Sequence, residues 1–246
     1  MSKSGIVIGF HAVEDLLKTD RTIGKVYVNT AADRQKIGVL RQLCKLKEIP
    51  FQMVPIEKLN RITRASHQGV IAIESPIDFV PLEETITRLF ESGKPPKIVV
   101  ADGIQDIRNV GAISRSCLAF GVDLLIIGTK ANAEIGEGAM KSSAGALLTL
   151  PVARVSSLEN TLQYLKSWGL PQIAATEKAE EEVSSPSEKF PQAWSLWLGN
   201  EDNGLSRERL AQMDRTLKIK MEGTIDSLNV SVAAGILMYT LTVNGQ

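Results

Sequence analysis

Three polar segments in the second half of the chain combine residue types that can bind a ligand and act on it. The first runs from Asp106 to Ser116 and follows an apolar stretch that predicts a strand. Asn109 is a suitable N-cap for the helix that the following apolar spacing predicts. Arg115 lies four residues after Gly111, on the same side of that helix, so the arginine could reach a ligand. The alternative is a solvated arginine beside a close-packing glycine.

The second segment, 196–206, leads from an apolar strand into a short polar loop and then a predicted helix. Gly199 and Gly204 flank two acidic residues, Glu201 and Asp202. Loops at the carboxyl ends of strands in α/β sheets are where ligands usually bind. The alternative interpretation is an ordinary tight turn between a strand and a helix.

The third segment, 219–235, begins the C-terminal helix of the chain. Ser227 is the expected N-cap, and Asn229 falls in the first turn. A helix N-terminus offers free N–H groups and a partial positive charge, both of which favour a polar ligand. The apolar seam that follows also predicts a buried helix, with small residues at 233–235 that allow close approach of another helix.

Several common catalytic and cofactor-binding motifs are absent from the sequence. It has neither the Gly-x-Gly-x-x-Gly of dinucleotide-binding folds nor a Walker A sequence. Two cysteines, Cys44 and Cys117, and two histidines, His11 and His67, are too few for a convincing zinc site. We therefore expect no metal, two reduced core cysteines and no Ser–His–Asp catalysis.

The elements that must position these segments alternate between strands and helices. The first part of the chain predicts strands Ile6–Ile8, Lys25–Asn29, Phe51–Val54 and Gly69–Glu74, and helices Ala12–Lys18, Asp33–Glu48 and Ile56–Ile62. The second part predicts strands Lys97–Ala101, Val122–Ile127, Thr149–Arg154, Gln172–Ala175, Ser195–Leu198 and Thr216–Lys220, and helices Leu82–Phe90, Val110–Phe120, Ser157–Trp168, Ser206–Met213 and Leu228–Thr242. Short strands that are apolar on both faces indicate an α/β fold with a parallel sheet. A proline-containing linker, 75–81, separates the two parts, and the acidic stretch Glu177–Lys189 predicts a solvated loop.

Length and composition favour a globular protein of one or two domains. The chain has 246 residues, 43% hydrophobic and 23% charged, which excludes disorder as its main state. It contains neither a membrane-length apolar run nor a signal-peptide pattern, so we expect a cytoplasmic protein without membrane contact. Net charge is zero, but residues 1–80 carry 12 basic and 8 acidic side chains. The basic excess suggests that this part meets a polyanion.

Taken together, the three segments resemble the SpoU branch of the SPOUT RNA methyltransferases. The resemblance rests on three motifs: Asn-x-Gly-x-x-x-Arg, which begins at Asn109, Leu-Gly-x-Glu-x-x-Gly-Leu, which begins at Leu198, and Gly-x-x-x-Ser-Leu-Asn-Val-Ser-Val, which begins at Gly223. The departures from the family pattern are Asn200, Asp202-Asn203 and Lys220. The resemblance implies a trefoil-knotted α/β domain over 82–246, S-adenosylmethionine as cofactor, and a homodimer.

The N-terminal part resembles the L30e-like substrate-binding domain of the same family. Gly9–Val13 and His67–Val70 match its start and end, which implies an RNA-binding domain over 1–76. With both domains present, the chain is most similar to members that methylate a guanosine ribose in 23S rRNA. A tRNA ribose methyltransferase of the same family and a non-catalytic RNA-binding protein remain as alternatives.

The resemblance also assigns roles to individual residues. Arg115 would act as general base or hold the ribose 2′-oxygen and a neighbouring phosphate, and Asn109 would orient it. Further residues that would shape the catalytic site are Glu201, Ser227 and Asn229. Those that would bind the cofactor are Gly199, Ile219, Leu228, Thr176, Met221 and Gly223. Active sites are expected to be composed across the two chains, with helices Val110–Phe120 and Leu228–Thr242 at the dimer interface and Ala234 within it.

Overall fold

A computed structural model describes residues 5–129, 135–183, 189–224 and 227–245. Their contacts divide the chain into two compact units: the first comprises the residues up to Asp78 together with 135–137, and the second comprises the other residues from Phe79 onward. Each unit has its own buried apolar core.

The first unit is a four-stranded mixed sheet with helices packed on it. Its strands are β1 (Ile6–Ile8), β2 (Ile23–Asn29), β3 (Phe51–Val54) and β4 (Val70–Glu74), and its helices are α1 (Phe10–Lys18), α2 (Arg34–Leu46) and α3 (Ile56–Ile62). The strand order is β1-β4-β2-β3, with β4 antiparallel to both neighbours and β2 parallel to β3. Because β2 and β3 are parallel, their carboxyl ends meet at the same edge of the sheet.

Helix α2 illustrates how local sequence sets these elements. The Asp33 carboxylate accepts hydrogen bonds from the backbone N–H groups of Gln35 and Lys36 and so caps the helix. Its buried face carries Ile37, Leu40 and Cys44 at helical spacing. The predicted helix is present, and the core cysteine predicted within it is confirmed as buried and free.

The second unit is a seven-stranded parallel sheet with helices. Its strands are β5 (Lys97–Ala101), β6 (Leu124–Gly128), β7 (Val152–Val155), β8 (Gln172–Ala175), β9 (Glu181–Val183), β10 (Trp194–Leu198) and β11 (Arg215–Ile219). Its helices are α4 (Leu82–Glu91), α5 (Ile107–Ala119), α6 (Glu137–Ser142), α7 (Leu158–Ser167), α8 (Arg207–Leu210) and α9 (Val230–Val243), with a 3₁₀ turn at Ala146–Leu148. The strand order is β7-β6-β5-β10-β8-β11-β9, and all neighbours are parallel.

Strand β10 lies in the middle of this sheet, and every residue in it is buried. Trp197 is fully buried, and its indole Nε1 donates to the Gln172 side-chain oxygen at 2.9 Å. Ser195 donates to the same oxygen at 2.6 Å, so the side chains of Gln172, Ser195 and Trp197 pair with one another inside the core. The buried position of β10 fixes the point at which Gly199 and the following loop leave the sheet.

Two predicted helix N-caps, Asn109 and Ser227, are wrong. Helix α5 begins at Ile107, with Asp106 as its N-cap, because the Asp106 carboxylate accepts from the backbone N–H of Arg108. Helix α9 begins at Val230, and Asn229 rather than Ser227 is its cap, accepting from the backbone N–H of Ser231. Tertiary contacts explain the first error, because the Asn109 side chain is held by residues far along the chain.

The acidic stretch predicted as a loop contains a strand, β9. It pairs with β11, and the acidic side chains on it meet basic ones on β11: Glu181 is paired with Arg215 and Glu182 with Lys218. Charge pairing across strands replaces the apolar alternation by which strands are recognised in a sequence. Residues 184–188 of the predicted loop lie outside the described residues.

Candidate active site

A cavity of about 620 Å³ lies beside the carboxyl ends of β8, β10 and β11. Five of the six residues predicted to bind the cofactor line it, as do three of those predicted to shape the catalytic site. The first group is Thr176, Gly199, Ile219, Met221 and Leu228, and the second is Glu201, Ser227 and Asn229. The loops that follow three neighbouring strands therefore enclose a single space.

Gly223, the sixth predicted cofactor residue, is exposed and lies outside the lining of this cavity. Gly199, by contrast, lies where the loop folds back on itself. A Cβ atom on Gly199 would lie 2.3 Å from the Gly204 carbonyl carbon and 2.4 Å from the Leu205 nitrogen. No side chain fits there, which explains why the position requires glycine.

A chain of hydrogen bonds connects three predicted site residues. The Asn229 amide nitrogen donates to the Asn109 side-chain oxygen at 3.1 Å, and the Asn109 amide nitrogen donates to Glu201 Oε1 at 2.9 Å. Asn109 is buried, so both ends of its amide need partners, and both have them. These bonds join helix α5, the loop after β10 and the start of helix α9.

The Glu201 carboxylate also accepts from the backbone N–H groups of Gln105 and Asp106, at 3.3 and 3.4 Å. Burial raises the pKa of Glu201, but the hydrogen bonds from Asn109 and from the backbone outweigh it and hold this pKa below the ordinary glutamate value. Glu201 is therefore an anion that accepts hydrogen bonds at neutral pH. This state suits a positioning group better than a proton donor.

Asn200 connects the same loop to the loop after β5. Its amide nitrogen donates to the Gly103 carbonyl at 2.8 Å, while its side-chain oxygen accepts from the backbone N–H groups of Asp202 and Asn203. In the sequence, Asn200 stands out only as a departure from the family pattern. The signal that points to its structural role is local: an asparagine followed by polar residues and Gly204, typical of a side-chain-stabilised turn.

Arg115 does not line the cavity of its own chain. It is exposed and has neither a hydrogen bond nor an ion pair with any described residue, Asn109 included. Six residues of helix separate the two side chains by about 9 Å along the axis and about 120° around it. The predicted contact between Asn109 and Arg115 is thus not made within one chain.

Gly111 is a close-packing residue, as the alternative interpretation stated. A Cβ atom there would lie 2.5 Å from the Ala139 carbonyl oxygen and 2.9 Å from the Ser143 nitrogen. The glycine therefore lets α6 approach α5. It does not clear a path for Arg115.

Helix α9 has two apolar faces. One is buried and carries Ala234, Leu237, Met238 and Leu241. The other is exposed and carries Val232, Ile236, Tyr239 and Val243, with exposures of 38–60%; we call these four residues the α9 stripe. Ala234 is fully buried inside its own chain, so its predicted place at a dimer interface is wrong.

Among the described residues, no group of three or more His, Cys, Asp or Glu side chains is arranged to hold a metal ion. Burial raises the pKa of the Cys117 thiol, in keeping with the predicted inert core cysteine. Within the described ranges, helices that are long and apolar enough to cross a membrane are likewise absent.

Comparisons with known families and proteins identify the family of this chain. The sequence profile of the SpoU rRNA Methylase family matches residues 96–239, and that of RNA 2′-O ribose methyltransferase substrate binding matches residues 6–80. A Staphylococcus haemolyticus protein, named for the TrmH family of tRNA/rRNA methyltransferases, is 31% identical over 95% of this chain and 93% of its own.

Solved structures share the fold. The SpoU methyltransferase AviRb from Streptomyces viridochromogenes, solved with AdoMet, is 22% identical with a TM-score of 0.59, over 96% of this chain and 88% of that one. An AdoMet-bound rRNA methyltransferase from Sinorhizobium meliloti is 20% identical with a TM-score of 0.59, over 97% and 87%. The predicted α/β fold of the SPOUT class, with an N-terminal substrate-binding domain, is confirmed. The chain belongs to the SpoU rRNA methylase family of RNA methyltransferases.

Proposed function

We propose that this protein transfers a methyl group from S-adenosylmethionine to the 2′-hydroxyl of a ribose in RNA, and that its target is a guanosine of 23S rRNA. The observation that carries the proposal is the cavity at the carboxyl ends of β8, β10 and β11, bordered by the Asn229–Asn109–Glu201 hydrogen-bond chain. Membership of the SpoU family supports the reaction class. Since we take the substrate to be ribosomal RNA, we infer that the protein lies in the cytoplasm.

The lining of the cavity suits S-adenosylmethionine. Its volume of about 620 Å³ lies in the usual range for a ligand of this size. Apolar side chains of Ile219 and Leu228 offer surface for the adenine ring, while Thr176 and the backbone around Gly199 offer polar groups for the sugar. When bound, the cofactor supplies an electrophilic methyl group on a sulfonium. Two solved relatives hold the same cofactor, which supports this assignment.

The residues around the cavity act mainly by positioning. Glu201, an anion held by Asn109 and two backbone N–H groups, fixes the loop after β10 against the start of α5. Asn229 ties the start of α9 to the same point. Well-oriented groups can contribute ~7–11 kcal/mol to a bimolecular transfer, so rigid loops at this site have a direct catalytic value.

Arg115 is the proposed catalytic residue, and it acts on the cavity of the partner subunit. Its exposure, its lack of partners in the described chain and its absence from the lining of its own cavity support this arrangement. A guanidinium stays protonated under ordinary conditions and so rarely accepts a proton. Two roles remain: drawing the proton from the 2′-oxygen with help from an RNA phosphate, or holding that oxygen and the phosphate by charge-assisted hydrogen bonds.

A homodimer follows from the same proposal. The α9 stripe exposes four large apolar side chains on one helix face, and Leu118 of α5 is also 47% exposed. Apolar surface of this kind on a folded domain marks an interaction site. Two copies that pack along α9 form a two-fold interface, and permanent dimers of this type bury ~2,000 Å² or more.

The two domains divide the work in this proposal. Residues 1–76 supply RNA affinity and target choice, and residues 82–246 bind the cofactor and carry out the transfer. A chain that starts near Pro81 is expected to bind S-adenosylmethionine and to methylate ribosomal RNA poorly. Full activity of the shortened chain on 23S rRNA would contradict this division.

One experiment separates the proposed function from its alternatives. Calorimetry with S-adenosylmethionine tests for a cofactor site, which a non-catalytic RNA-binding protein lacks. Methyl transfer to unmodified 23S rRNA and to unmodified tRNA, assayed in parallel, then distinguishes the two enzymes. We expect cofactor binding and transfer to 23S rRNA. Transfer to tRNA alone would favour the tRNA ribose methyltransferase, and an absence of cofactor binding would favour the RNA-binding protein.

A further inference from the structure

A second polar pocket lies within the N-terminal unit, apart from the cofactor cavity. It measures about 550 Å³ and lies where β2 ends, between α3 and the turn that leads into β4. Asn29, Ile56, Asn60, Arg64 and His67 are among the residues that line it. Nothing in the catalytic proposal uses this pocket.

His67 holds the pocket in shape. It is buried, and its Nδ1 accepts from the backbone N–H of Gly69 at 3.1 Å. Nδ1 is therefore unprotonated, so Nε2 carries the proton and donates to the Asn60 side-chain oxygen at 2.9 Å. Both ring nitrogens are occupied, which makes His67 a support for the pocket and not a ligand-binding group.

The bond from His67 fixes the orientation of the Asn60 amide. Since its oxygen accepts from the histidine, its NH₂ group is left without a partner in the described chain. The Asn29 oxygen similarly accepts from the backbone N–H of Ala31 at 3.0 Å, which leaves the Asn29 NH₂ group unpaired among those residues. The pocket thus offers two oriented amide donors.

Charge and apolar surface complete the pocket. Arg64 is exposed and has no ion-pair or hydrogen-bond partner among the described residues, so its guanidinium can meet a phosphate. Ile56 is 36% exposed and offers an apolar surface on which the flat face of a base can lie. The backbone of the turn is held in an unusual conformation, with φ of 50° at Gln68 and 80° at Gly69.

We propose that this pocket binds one unpaired nucleotide of the substrate RNA. The acceptor atoms of its base face the Asn29 and Asn60 amides, and its phosphate meets Arg64. Sequence-specific RNA recognition mostly uses unstacked bases whose edges are free to form hydrogen bonds, and a polar pocket with fixed donors suits such a base. The inference rests on the proposed function, because it takes the ligand to be the RNA that the enzyme methylates.

Two single substitutions test the pocket in the full-length protein. Asn60→Asp keeps the oxygen that His67 needs and removes the donor, and Arg64→Gln removes the charge. Matched controls on the exposed face of α2 are Gln42→Glu, which adds the same negative charge, and Lys45→Gln, which removes one positive charge. Fluorescence anisotropy with a labelled 23S rRNA fragment, at one fixed salt concentration, measures RNA affinity.

We expect each pocket variant to bind RNA about tenfold more weakly than its control, the scale of a lost base-specific or phosphate contact. Circular dichroism and S-adenosylmethionine binding should stay at wild-type values. Equal losses in pocket and control variants would mean that only net charge matters and would overturn the proposal, as would unchanged affinity. If the wild-type protein binds this RNA but transfers no methyl group to it, the proposed function is wrong. The comparison of RNA affinity between pocket and control variants then still tests the pocket.

Discussion

Asn109 and Asn229 lie 120 residues apart in sequence, and their side-chain amides share a hydrogen bond of 3.1 Å. One belongs to the first turn of α5 and the other caps α9, so the bond ties the starts of two helices together. Glu201 completes the connection from the loop after β10. A site built in this way depends on long-range contacts, and each of them can be changed separately.

Replacement of Arg115 is expected to stop the reaction without affecting the cofactor. Arg115→Ala should lower methyl transfer by at least ~100-fold, the scale for loss of a charge-stabilising or proton-transferring group. The affinity for S-adenosylmethionine should stay near the wild-type value, because Arg115 lies outside its own cavity. Calorimetry that shows lost cofactor binding in a folded variant would contradict this role.

A heterodimer tests whether Arg115 serves the partner subunit. Asn229→Ser keeps a good helix cap but loses the amide bond to Asn109, and we expect this variant to be impaired. A heterodimer of one Arg115→Ala chain and one Asn229→Ser chain, purified through two different tags, has one intact site if the sites are shared. We expect it to regain about half of the wild-type activity, since a two-fold dimer has two sites. Activity no higher than that of the two parent variants would place Arg115 in its own subunit's site.

The α9 stripe is expected to hold the dimer together. Val232→Glu places a charge on the stripe, at the third position of α9, where an acidic residue favours the helix itself. We expect light scattering to show monomers and activity to fall with them. Val39→Glu, an equivalent change at an exposed position of α2, should leave the dimer intact. A fully active Val232→Glu monomer at micromolar concentration would contradict the shared site.

Ala234→Glu should behave differently from Val232→Glu. Because Ala234 is fully buried in its own chain, an unpaired carboxylate there costs several kcal/mol and should destabilise the fold itself.

Positions 232 and 234 of helix α9 show why the sequence alone could not locate the interface. Nearly every residue of α9 is apolar, so helical periodicity does not reveal which face is buried within the chain.

Glu201 is expected to stabilise the folded protein at neutral pH and to lose this effect in acid. Its pKa is lowered in the folded state, so the contribution is complete above the ordinary glutamate pKa of about 4.3. It disappears as the pH falls through the lowered folded-state value. Urea unfolding should therefore show a difference in unfolding free energy between wild type and Glu201→Gln that is constant near pH 7. This difference should shrink as the pH falls below the ordinary glutamate pKa. A difference that grows in acid would contradict the assignment.

Asn200 is expected to support the loop that carries Glu201. Asn200→Ala removes the bond to the Gly103 carbonyl and the side-chain acceptor for two backbone N–H groups, a loss of about 1–2 kcal/mol in unfolding free energy. Affinity for S-adenosylmethionine should fall as well. Asn203→Ala is the control, since Asn203 takes part in this turn only through its backbone. Equal effects of the two changes would show that Asn200 has no special role.

Local patterns predicted the strands and helices well, and tertiary contacts account for most of the errors. Parallel strands that are apolar on both faces, such as β5 and β6, could be read directly from the sequence. The N-cap of α5 could not be predicted in this way, because the Asn109 side chain donates a hydrogen bond to Glu201, 92 residues further on. Strand β9 was missed because cross-strand charge pairs replace apolar alternation there.

In the candidate site, too, local motifs predicted some features and tertiary structure determined the others. The three motifs identified residues that do line one cavity, because loops after adjacent parallel strands must meet at one edge of the sheet. They could not reveal that Arg115 does not line that cavity, since this depends on the turn of about 120° around the helix axis between Asn109 and Arg115. The pocket beside His67 could not be predicted either, because its lining combines the end of β2 with α3 and the turn before β4.

The central claim is methyl transfer to a ribose oxygen, and nucleoside analysis tests it most directly. The purified protein is incubated with unmodified 23S rRNA and S-adenosylmethionine that carries a deuterated methyl group, and the RNA is then digested to nucleosides for mass spectrometry. Arg115→Ala serves as the matched control and should give little label. We predict that the label appears in 2′-O-methylguanosine. Label on a base, or no label above the Arg115→Ala control, would contradict the account.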